Sequence, residues 1–261
     1  MATTFDPGYV CRQCGRELRT DVTDGAAVRC PDCGLRIPVV EGVPRFPVPS
    51  GAASPASIFD RLAPLYESPL WFWPLYRFVG GPAAPLDDRE RIASLLDLEG
   101  GEAVLDVACG TGRLTRRLAP AVASVLGVDV SGRMLERAQR TASRAGIENV
   151  AFARMSADDL WLETDAVDRV VCSWALHLFP DVAAALEESH RVLRPGGRFV
   201  AATLAEAYVL DLAPVRAVAR EVLDAEPFTV ADLHDRLRAA GFADASFDRR
   251  GAALFVEARA A

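Results

Sequence analysis

The fold of this chain is decided by one stretch, Val104-Leu105-Asp106-Val107-Ala108-Cys109-Gly110-Thr111-Gly112. It begins as a short apolar run, continues into a turn of small residues and leads into an amphipathic segment that starts at Leu114. This order predicts a buried strand, a tight loop and a helix. Gly110 and Gly112 let a ligand approach the backbone closely, and the first turn of the helix offers free N–H groups.

A second acidic residue ends the next apolar run, Val125-Leu126-Gly127-Val128-Asp129. Dinucleotide-binding folds place a ribose-binding carboxylate roughly 20 residues beyond their glycines, and Asp129 follows the glycine loop at about that spacing. The two acids therefore indicate a nucleoside site at the carboxyl ends of parallel strands. An NAD or FAD site is disfavoured, because Thr115 stands where that fingerprint has its third glycine.

The stretch around Asp106 resembles motif I of the class I S-adenosylmethionine (SAM) methyltransferases, and the resemblance continues to the C-terminus. It implies an α/β fold with a Rossmann-like seven-stranded sheet and SAM as cofactor. In this family the counterpart of Asp129 binds the ribose, whereas Asp106 and the glycine loop correspond to residues at the methionine end. The residues that the resemblance assigns to the cofactor are Asp106, Ala108, Cys109, Gly110, Gly112, Asp129, Val130, Met134, Ser156, Ala157 and Ser173.

The C-terminal half carries further signals of the same family. Leu193-Arg-Pro-Gly-Gly197 resembles a turn that is frequent in class I methyltransferases, and it predicts that a helix over residues 182–193 ends before a strand over 198–204. Thr229 predicts the N-cap of a last helix. Two closing strands, over 245–248 and 252–258, are expected to form a hairpin whose final strand is antiparallel to an otherwise parallel sheet.

The loop after the third predicted strand departs from the family pattern. The family usually has an aspartate there that accepts a hydrogen bond from the adenine amino group, and Ser156 stands at that position in this chain. A serine hydroxyl accepts such a bond more weakly, and the neighbouring Asp158 is the alternative acceptor. The departure bears on the affinity for adenine and not on the fold.

Two residues are candidates for contact with the methyl acceptor. The segment Ser173-Trp174-Ala-Leu-His177 resembles motif IV of methyltransferases that act on small molecules. His177 can take a proton from an acceptor O–H, N–H or activated C–H, and the alternative is that it shapes the pocket without proton transfer. Tyr66 lies in a lead-in that resembles the N-terminal cap of small-molecule methyltransferases, and it is predicted to cover the cofactor and substrate cavity.

Four of the six cysteines form two pairs, Cys11-x-x-Cys14 and Cys30-x-x-Cys33, each followed by a glycine. Their spacing is that of a four-cysteine zinc ribbon, in which two tight turns close a tetrahedral Zn²⁺ site. A metal-free module or a redox Cys-x-x-Cys motif is the alternative. The sequence from Cys30 to Phe46 also resembles the zinc-ribbon family of small methyltransferase activator subunits, which implies a structural role or contact with a partner protein.

Composition and these motifs together predict three parts. Residues 1–48 are the zinc ribbon, residues 49–98 a linker with N-terminal cap helices, and residues 99–261 the methyltransferase domain. With 51% hydrophobic and 25% charged residues the chain is not of a disordered type. No signal peptide or apolar run long enough for a membrane span is visible, so a cytoplasmic location is expected.

The charged residues narrow the range of functions. The 29 cationic residues are all arginine, which excludes a lysine nucleophile or Schiff base. A net charge of −7 is a poor electrostatic match for a long nucleic-acid footprint. We therefore expect methyl transfer to a small or lipid-like acceptor. The alternatives are an rRNA or tRNA base methyltransferase that uses its ribbon to recognise RNA, and a non-catalytic scaffold that binds SAM.

Overall fold

The computed structural model describes residues 8–20, 27–48, 88–206 and 227–261. Tyr66 and most of the predicted linker and cap segment over 49–98 lie outside these residues, so those predictions stay predictions. Among the helices of the described ranges, none has both the length and the apolar character needed to cross a membrane.

The N-terminal part folds as a small antiparallel sheet of four strands in chain order. Its first three strands pair through residues that flank the second cysteine pair, such as Arg29 with Arg36. Leu18, Val28 and Ile37 are buried between the strands and the cysteines. The strands are β1 (Arg19–Thr20), β2 (Ala27–Arg29), β3 (Arg36–Val40) and β4 (Val43–Pro44).

The larger sheet has seven strands in the order β7-β6-β5-β8-β9-β11-β10. Neighbouring strands from β7 to β9 pair in parallel, and β11 is antiparallel to both β9 and β10. This arrangement confirms the predicted Rossmann-like fold of the class I methyltransferases. The strands are β5 (Ala103–Val107), β6 (Ser124–Asp129), β7 (Val150–Arg154), β8 (Val167–Ser173), β9 (Leu193–Leu204), β10 (Phe242–Arg250) and β11 (Ala253–Ala260).

Helices cover both faces of this sheet, so that its central strands are buried on each side. Leu105 packs in the hydrophobic cluster of one face and its neighbour Val104 in that of the other. Side chains cap the helices as the sequence predicts: the Thr229 hydroxyl accepts from the Asp232 N–H at 3.0 Å. The helices are α1 (Asp88–Leu96), α2 (Arg113–Leu118), α3 (Gly132–Arg144), α4 (Val182–Val192) and α5 (Val230–Ala239).

One predicted boundary is wrong. The helix α4 ends at Val192, and β9 begins at Leu193 instead of at Arg198. Leu193 has extended backbone angles and pairs with Val167 of β8, so the strand starts before the Pro-Gly-Gly turn. The pairing shifts register between Val167 and Arg169, which accommodates the turn within the strand.

The small sheet packs against the edge strand β7 of the large one. Arg45 forms a parallel bridge with Arg154, and the Phe46 N–H donates to the Arg154 carbonyl at 3.0 Å. The ring of Phe46 lies between those of Tyr9 and Trp161, with centroid distances of 4.9 and 5.2 Å. Backbone pairing and aromatic packing therefore cover an edge that would otherwise be open to other chains.

Replacing Phe46 tests how much this packing stabilises the protein. The side chain is fully buried, so we expect Phe46→Ala to lower the free energy of unfolding by about 3–5 kcal/mol. Val40→Ala is the control, because Val40 is 44% exposed on β3 and its truncation should change stability by no more than about 0.5 kcal/mol. Urea unfolding measures both, and equal effects would contradict the packing described.

Candidate active site

The glycine loop lies between the end of β5 and the start of α2. Ala108, Gly110 and Gly112 have φ angles of 57°, 55° and 69°, in the left-handed region that suits glycine. A Cβ at Gly112 would lie 2.8 Å from the ring of Phe152, whereas one at Gly110 would meet no atom within 4 Å. Gly112 is therefore required for packing, and Gly110 faces open space in which a ligand can approach the backbone.

The carboxylate of Asp129 holds two backbone segments together. One oxygen accepts from the Gly110 N–H at 2.8 Å, and the other accepts from the Ser131 N–H at 2.8 Å. Asp129 ends β6, so this single side chain joins the glycine loop to the turn that begins α3. Its carbonyl accepts from the Met155 N–H at 3.1 Å, which brings the end of β7 to the same place.

Asp106 is buried directly behind the glycine loop, on β5. Its carboxylate accepts a hydrogen bond from the Thr115 hydroxyl at 2.6 Å. Burial raises the pKa of Asp106 to about 7, and the negative charge of Asp129 adds to that effect, while the bond from Thr115 opposes it. Asp106 is thus poised to ionise near neutral pH, and a cation placed beside it would favour the ionised form.

The two cysteines of the large sheet are not suited to nucleophilic chemistry. Burial raises the pKa of the Cys109 thiol far above its usual range, and the nearby carboxylates of Asp106 and Asp129 act in the same direction. Burial likewise raises the pKa of Cys172, whose side chain is enclosed in the sheet. Because the thiolate is the reactive form, both residues serve as small packing groups.

The remaining predicted cofactor residues lie at the same edge of the sheet. Val130 follows Asp129, and Met134 is buried in the first turn of α3, where its N–H donates to the Ser131 hydroxyl at 3.2 Å. Ser156 follows β7, and its carbonyl accepts from the Asp159 N–H at 3.2 Å, so Ala157 and Asp158 occupy a tight turn. One carboxylate oxygen of Asp158 is buried and has no hydrogen-bond partner among the described residues, so Asp158 stays the alternative acceptor for the adenine amino group.

His177 lies in a single turn after β8, and its ring is buried. Its Nδ1 is 3.1 Å from the hydroxyl of Thr203 on β9. Burial lowers the pKa of His177 to about 4, so the imidazole is neutral at pH 7 and is a weak base. Ser173 ends β8 nearby, on the strand next to β5.

The sequence assigned no role in the site to Trp174 or Thr115. Trp174 has a φ of 60°, which is rare for a bulky residue and is typical of functional sites. Its indole N–H donates to the carboxylate of Asp88 at the start of α1. Thr115 was not identified as a site residue either. A buried hydroxyl that pairs with Asp106 has no sequence signature beyond its place in the helix.

The four N-terminal cysteines converge as predicted. Their Sγ atoms all lie within 4.8 Å of one another, close to the roughly 3.8 Å edge of a tetrahedron with Zn–S bonds of about 2.3 Å. The Gly15 N–H donates to the Cys11 carbonyl at 2.8 Å, and the Gly34 N–H donates to the Cys30 carbonyl at 3.2 Å. The two turns thus have matching geometry, and the donor set could hold a metal ion.

Comparison with known proteins agrees with this geometry. Residues 104–197 match the family described as a methyltransferase domain. The comparisons support assignment of this part of the chain to the SAM-dependent methyltransferases. The chain is 38% identical over 97 residues to a Bacillus subtilis protein named uncharacterized methyltransferase YcgJ, and 39% identical over 116 residues to a demethylmenaquinone methyltransferase of Staphylococcus epidermidis.

These matches are partial. They cover 37% and 43% of this chain, and they span 38% and 47% of the two relatives, less than half of each. The crystal structure of YcgJ has a TM-score of 0.59 at 20% identity and covers 66% of this chain and 97% of that one. A complex of the Haloferax volcanii Trm112 methyltransferase activator with a methyltransferase has the same TM-score and identity, covering 77% of this chain and 97% of that one. At such identities the structures show a shared fold.

The raised pKa of Asp106 predicts a pH-dependent stability of the ligand-free protein. Folded Asp106 holds its proton up to about pH 7, whereas the unfolded chain loses it near pH 4, so its contribution to stability falls as the pH rises towards 7. Asp106→Asn stays neutral. We therefore expect the Tm of the variant to be higher than that of the wild type at pH 8. The difference in Tm should be larger at pH 8 than at pH 5.

Asp168→Asn is a control for which the opposite change in Tm at pH 8 is expected. Burial alone would raise the pKa of Asp168, but hydrogen bonds from the Ala103 N–H and from Arg194 hold it below its usual value. Removing that carboxylate should lower Tm at pH 8. Equal Tm differences at both pH values for Asp106→Asn would contradict the buried, protonated state inferred for this residue.

Proposed function

We propose that this protein is a SAM-dependent methyltransferase that acts on a small or lipid-like organic acceptor and carries a structural zinc ion in its N-terminal ribbon. The observation that carries the proposal is the pair of carboxylates, Asp106 and Asp129, on either side of a glycine loop at the carboxyl ends of parallel strands. Their placement in a segment that matches a methyltransferase domain supports a nucleoside cofactor with a cationic end.

Each part of the site has a proposed role in holding the cofactor. Asp129 accepts hydrogen bonds from the ribose hydroxyls. Asp106 and the backbone from Ala108 to Gly112 hold the methionine end, where the open space beside Gly110 gives access to the loop. Val130 and Met134 cover the nucleoside from α3, Cys109 and Ser173 line the site, and the turn with Ser156 and Ala157 flanks the adenine.

When bound, SAM supplies an electrophilic methyl group on a positively charged sulfur. This chain would contribute orientation, because Asp106, Asp129 and the glycine loop would hold the cofactor in one position relative to the acceptor. The acceptor loses a proton to the surroundings. His177 is proposed to shape the wall of the site, since its buried ring, fixed by Thr203, is too weak a base for efficient proton abstraction at neutral pH. Tyr66 remains the candidate for covering the acceptor.

Charge pairing in the ribbon supports a small acceptor over RNA. Three of its arginines are already paired with carboxylates of the protein: Arg12 with Glu188 at 2.5 Å, Arg16 with Asp32 at 2.9 Å and Arg45 with Glu136 at 2.6 Å. Arginines committed in this way are poor phosphate ligands. The similarity to demethylmenaquinone methyltransferases also favours a lipid-like acceptor.

Zinc is proposed for the four-cysteine cluster because the donor set is all thiol and its four Sγ atoms lie within 4.8 Å of one another. A module of this size buries too little apolar surface to fold alone, so the ion would stabilise the fold of the ribbon. The ribbon of this chain packs against its own large sheet. The alternative is contact with a separate partner protein, because the Haloferax volcanii structure is a complex of a methyltransferase activator with a methyltransferase.

Calorimetric titration with SAM and S-adenosylhomocysteine (SAH) tests the cofactor site. We expect wild-type protein to bind SAH with a Kd in the micromolar range. Asp129→Ala should weaken binding by tenfold or more, about 1.4 kcal/mol, because the ribose hydroxyls lose their acceptor. Asp235→Ala is the control, since Asp235 is an exposed aspartate on α5, far along the chain from the loop.

The same samples are assayed for zinc, and one equivalent per chain is expected. Folded, zinc-loaded protein that fails to bind SAM or SAH at millimolar concentration would refute the enzyme assignment. Protein that binds SAH but holds no zinc would refute the metal assignment alone.

The acceptor class is tested by transfer of a labelled methyl group from SAM. With a demethylated quinol and total cellular RNA offered separately, we expect label in the solvent-extractable organic fraction and none in RNA. Label in RNA would favour the rRNA or tRNA methyltransferase instead. Binding of SAH without transfer to any organic or RNA acceptor would favour the scaffold.

A further inference from the structure

Among the contacts between the ribbon and the rest of the protein, one involves an arginine, Arg12, that lies between two of the proposed metal ligands. Arg12 follows Cys11, and its guanidinium contacts the segment after β7, outside the ribbon. It donates to the Leu160 carbonyl at 2.7 Å and pairs with the carboxylate of Asp159 at 3.1 Å. Beside it, the Val10 N–H donates to the Trp161 carbonyl at 2.9 Å.

Glu188 of α4 joins this contact to the body of the large sheet. Its carboxylate pairs with Arg12 at 2.5 Å and with Arg191 at 2.6 Å, and it accepts from the Leu160 N–H at 2.8 Å. Burial alone would raise the pKa of Glu188, but the hydrogen bond and charge of Arg191 hold it below its usual value, so the group is ionised at neutral pH. The Leu160 N–H is therefore held by Glu188, and its carbonyl accepts from two guanidinium groups, that of Arg12 and, at 2.9 Å, that of Arg191.

The segment fixed in this way begins at the candidate adenine turn. Ser156 and Ala157 start it, and the preceding Met155 N–H donates to the carbonyl of Asp129. Asp159 both closes that turn and pairs with Arg12. The position of the turn relative to Asp129 therefore depends in part on a residue supplied by the ribbon.

The turn between Cys11 and Cys14 determines the position of Arg12. Arg12 lies between the ligands Cys11 and Cys14, in a turn closed by the bond from the Gly15 N–H to the Cys11 carbonyl. A metal ion held by both cysteines restrains the backbone between them, and its loss releases that restraint.

We propose that Arg12 is a positioning residue for the cofactor. Through its contacts with Asp159, Leu160 and Glu188, the ordering of the metal-loaded ribbon determines the position of the turn that flanks the adenine. The proposal rests on the proposed function, since it concerns SAM binding at that site. It makes metal binding and cofactor binding thermodynamically coupled, so that each strengthens the other by the same factor.

Calorimetry with SAH on zinc-loaded Arg12→Ala tests the proposal. We expect binding at least fivefold weaker than in the wild type, the lower end of typical coupling between sites. Arg16→Ala is the matched control. It truncates an arginine close to the same turn, but Arg16 pairs with Asp32 inside the ribbon, so SAH affinity should stay within twofold of the wild type.

Two further readouts do not depend on activity. Hydrogen exchange at the Leu160 amide should be faster in Arg12→Ala and after zinc removal, because the segment loses one of its clamps. By reciprocity, SAH should slow the removal of zinc by a chelator in the wild type, and this protection should be lost in Arg12→Ala.

A second variant approaches the contact from the other side and leaves the ribbon intact. Asp159→Asn removes the ion pair from the turn and should also weaken SAH binding, and the double variant should bind no more weakly than Arg12→Ala alone. This variant decides the matter if Arg12→Ala loses its zinc or fails to fold.

The outcomes separate this proposal from the proposed function. If the wild type binds SAH and both Arg12→Ala and Asp159→Asn bind it equally well, the coupling is overturned while the methyltransferase assignment stands. If the zinc-loaded wild type does not bind SAH, both are overturned.

Discussion

Two backbone N–H groups converge on the carboxylate of Asp129, one from the glycine loop and one from the start of α3. The carboxylate satisfies both donors and so joins the loop after β5 to the end of β6. The carbonyl of Asp129 accepts from the first N–H after β7. Asp129 thus fixes three strand ends relative to one another. A nucleoside bound here would meet a surface already assembled. The buried Asp106 adds a group whose charge a cationic ligand would set.

The ribbon extends this construction to the outer edge of the sheet. It covers β7 with a strand-like contact at Arg45, packs the rings of Tyr9 and Phe46 beside that of Trp161, and places Arg12 against the segment that follows β7. A module that docks beside a candidate cofactor turn can influence the site without touching the acceptor. Under the proposed coupling, this is the role of the ribbon.

Much of the fold could be predicted from the sequence because local signals and periodicity agree. The apolar run before Asp106, the cap at Thr229 and the two cysteine pairs each specify local structure, and the structure bears them out. The start of β9 was missed because pairing with β8, a long-range effect, begins at Leu193, before the Pro-Gly-Gly turn that was expected to precede the strand. The partners Thr115, Thr203 and Glu188 were missed for the same reason: each acts through a contact between distant segments, which a single sequence does not encode locally.

We propose that SAM binds at the edge of the sheet where β5, β6 and β7 end, with its ribose on Asp129. A crystal structure of the zinc-loaded protein with SAH would show whether it does. We expect ribose hydroxyls within hydrogen-bonding distance of the Asp129 carboxylate, the amino-acid end beside Gly110, and the adenine against the turn with Ser156 and Ala157. SAH bound elsewhere, or ribose hydroxyls held by residues other than Asp129, would overturn this placement.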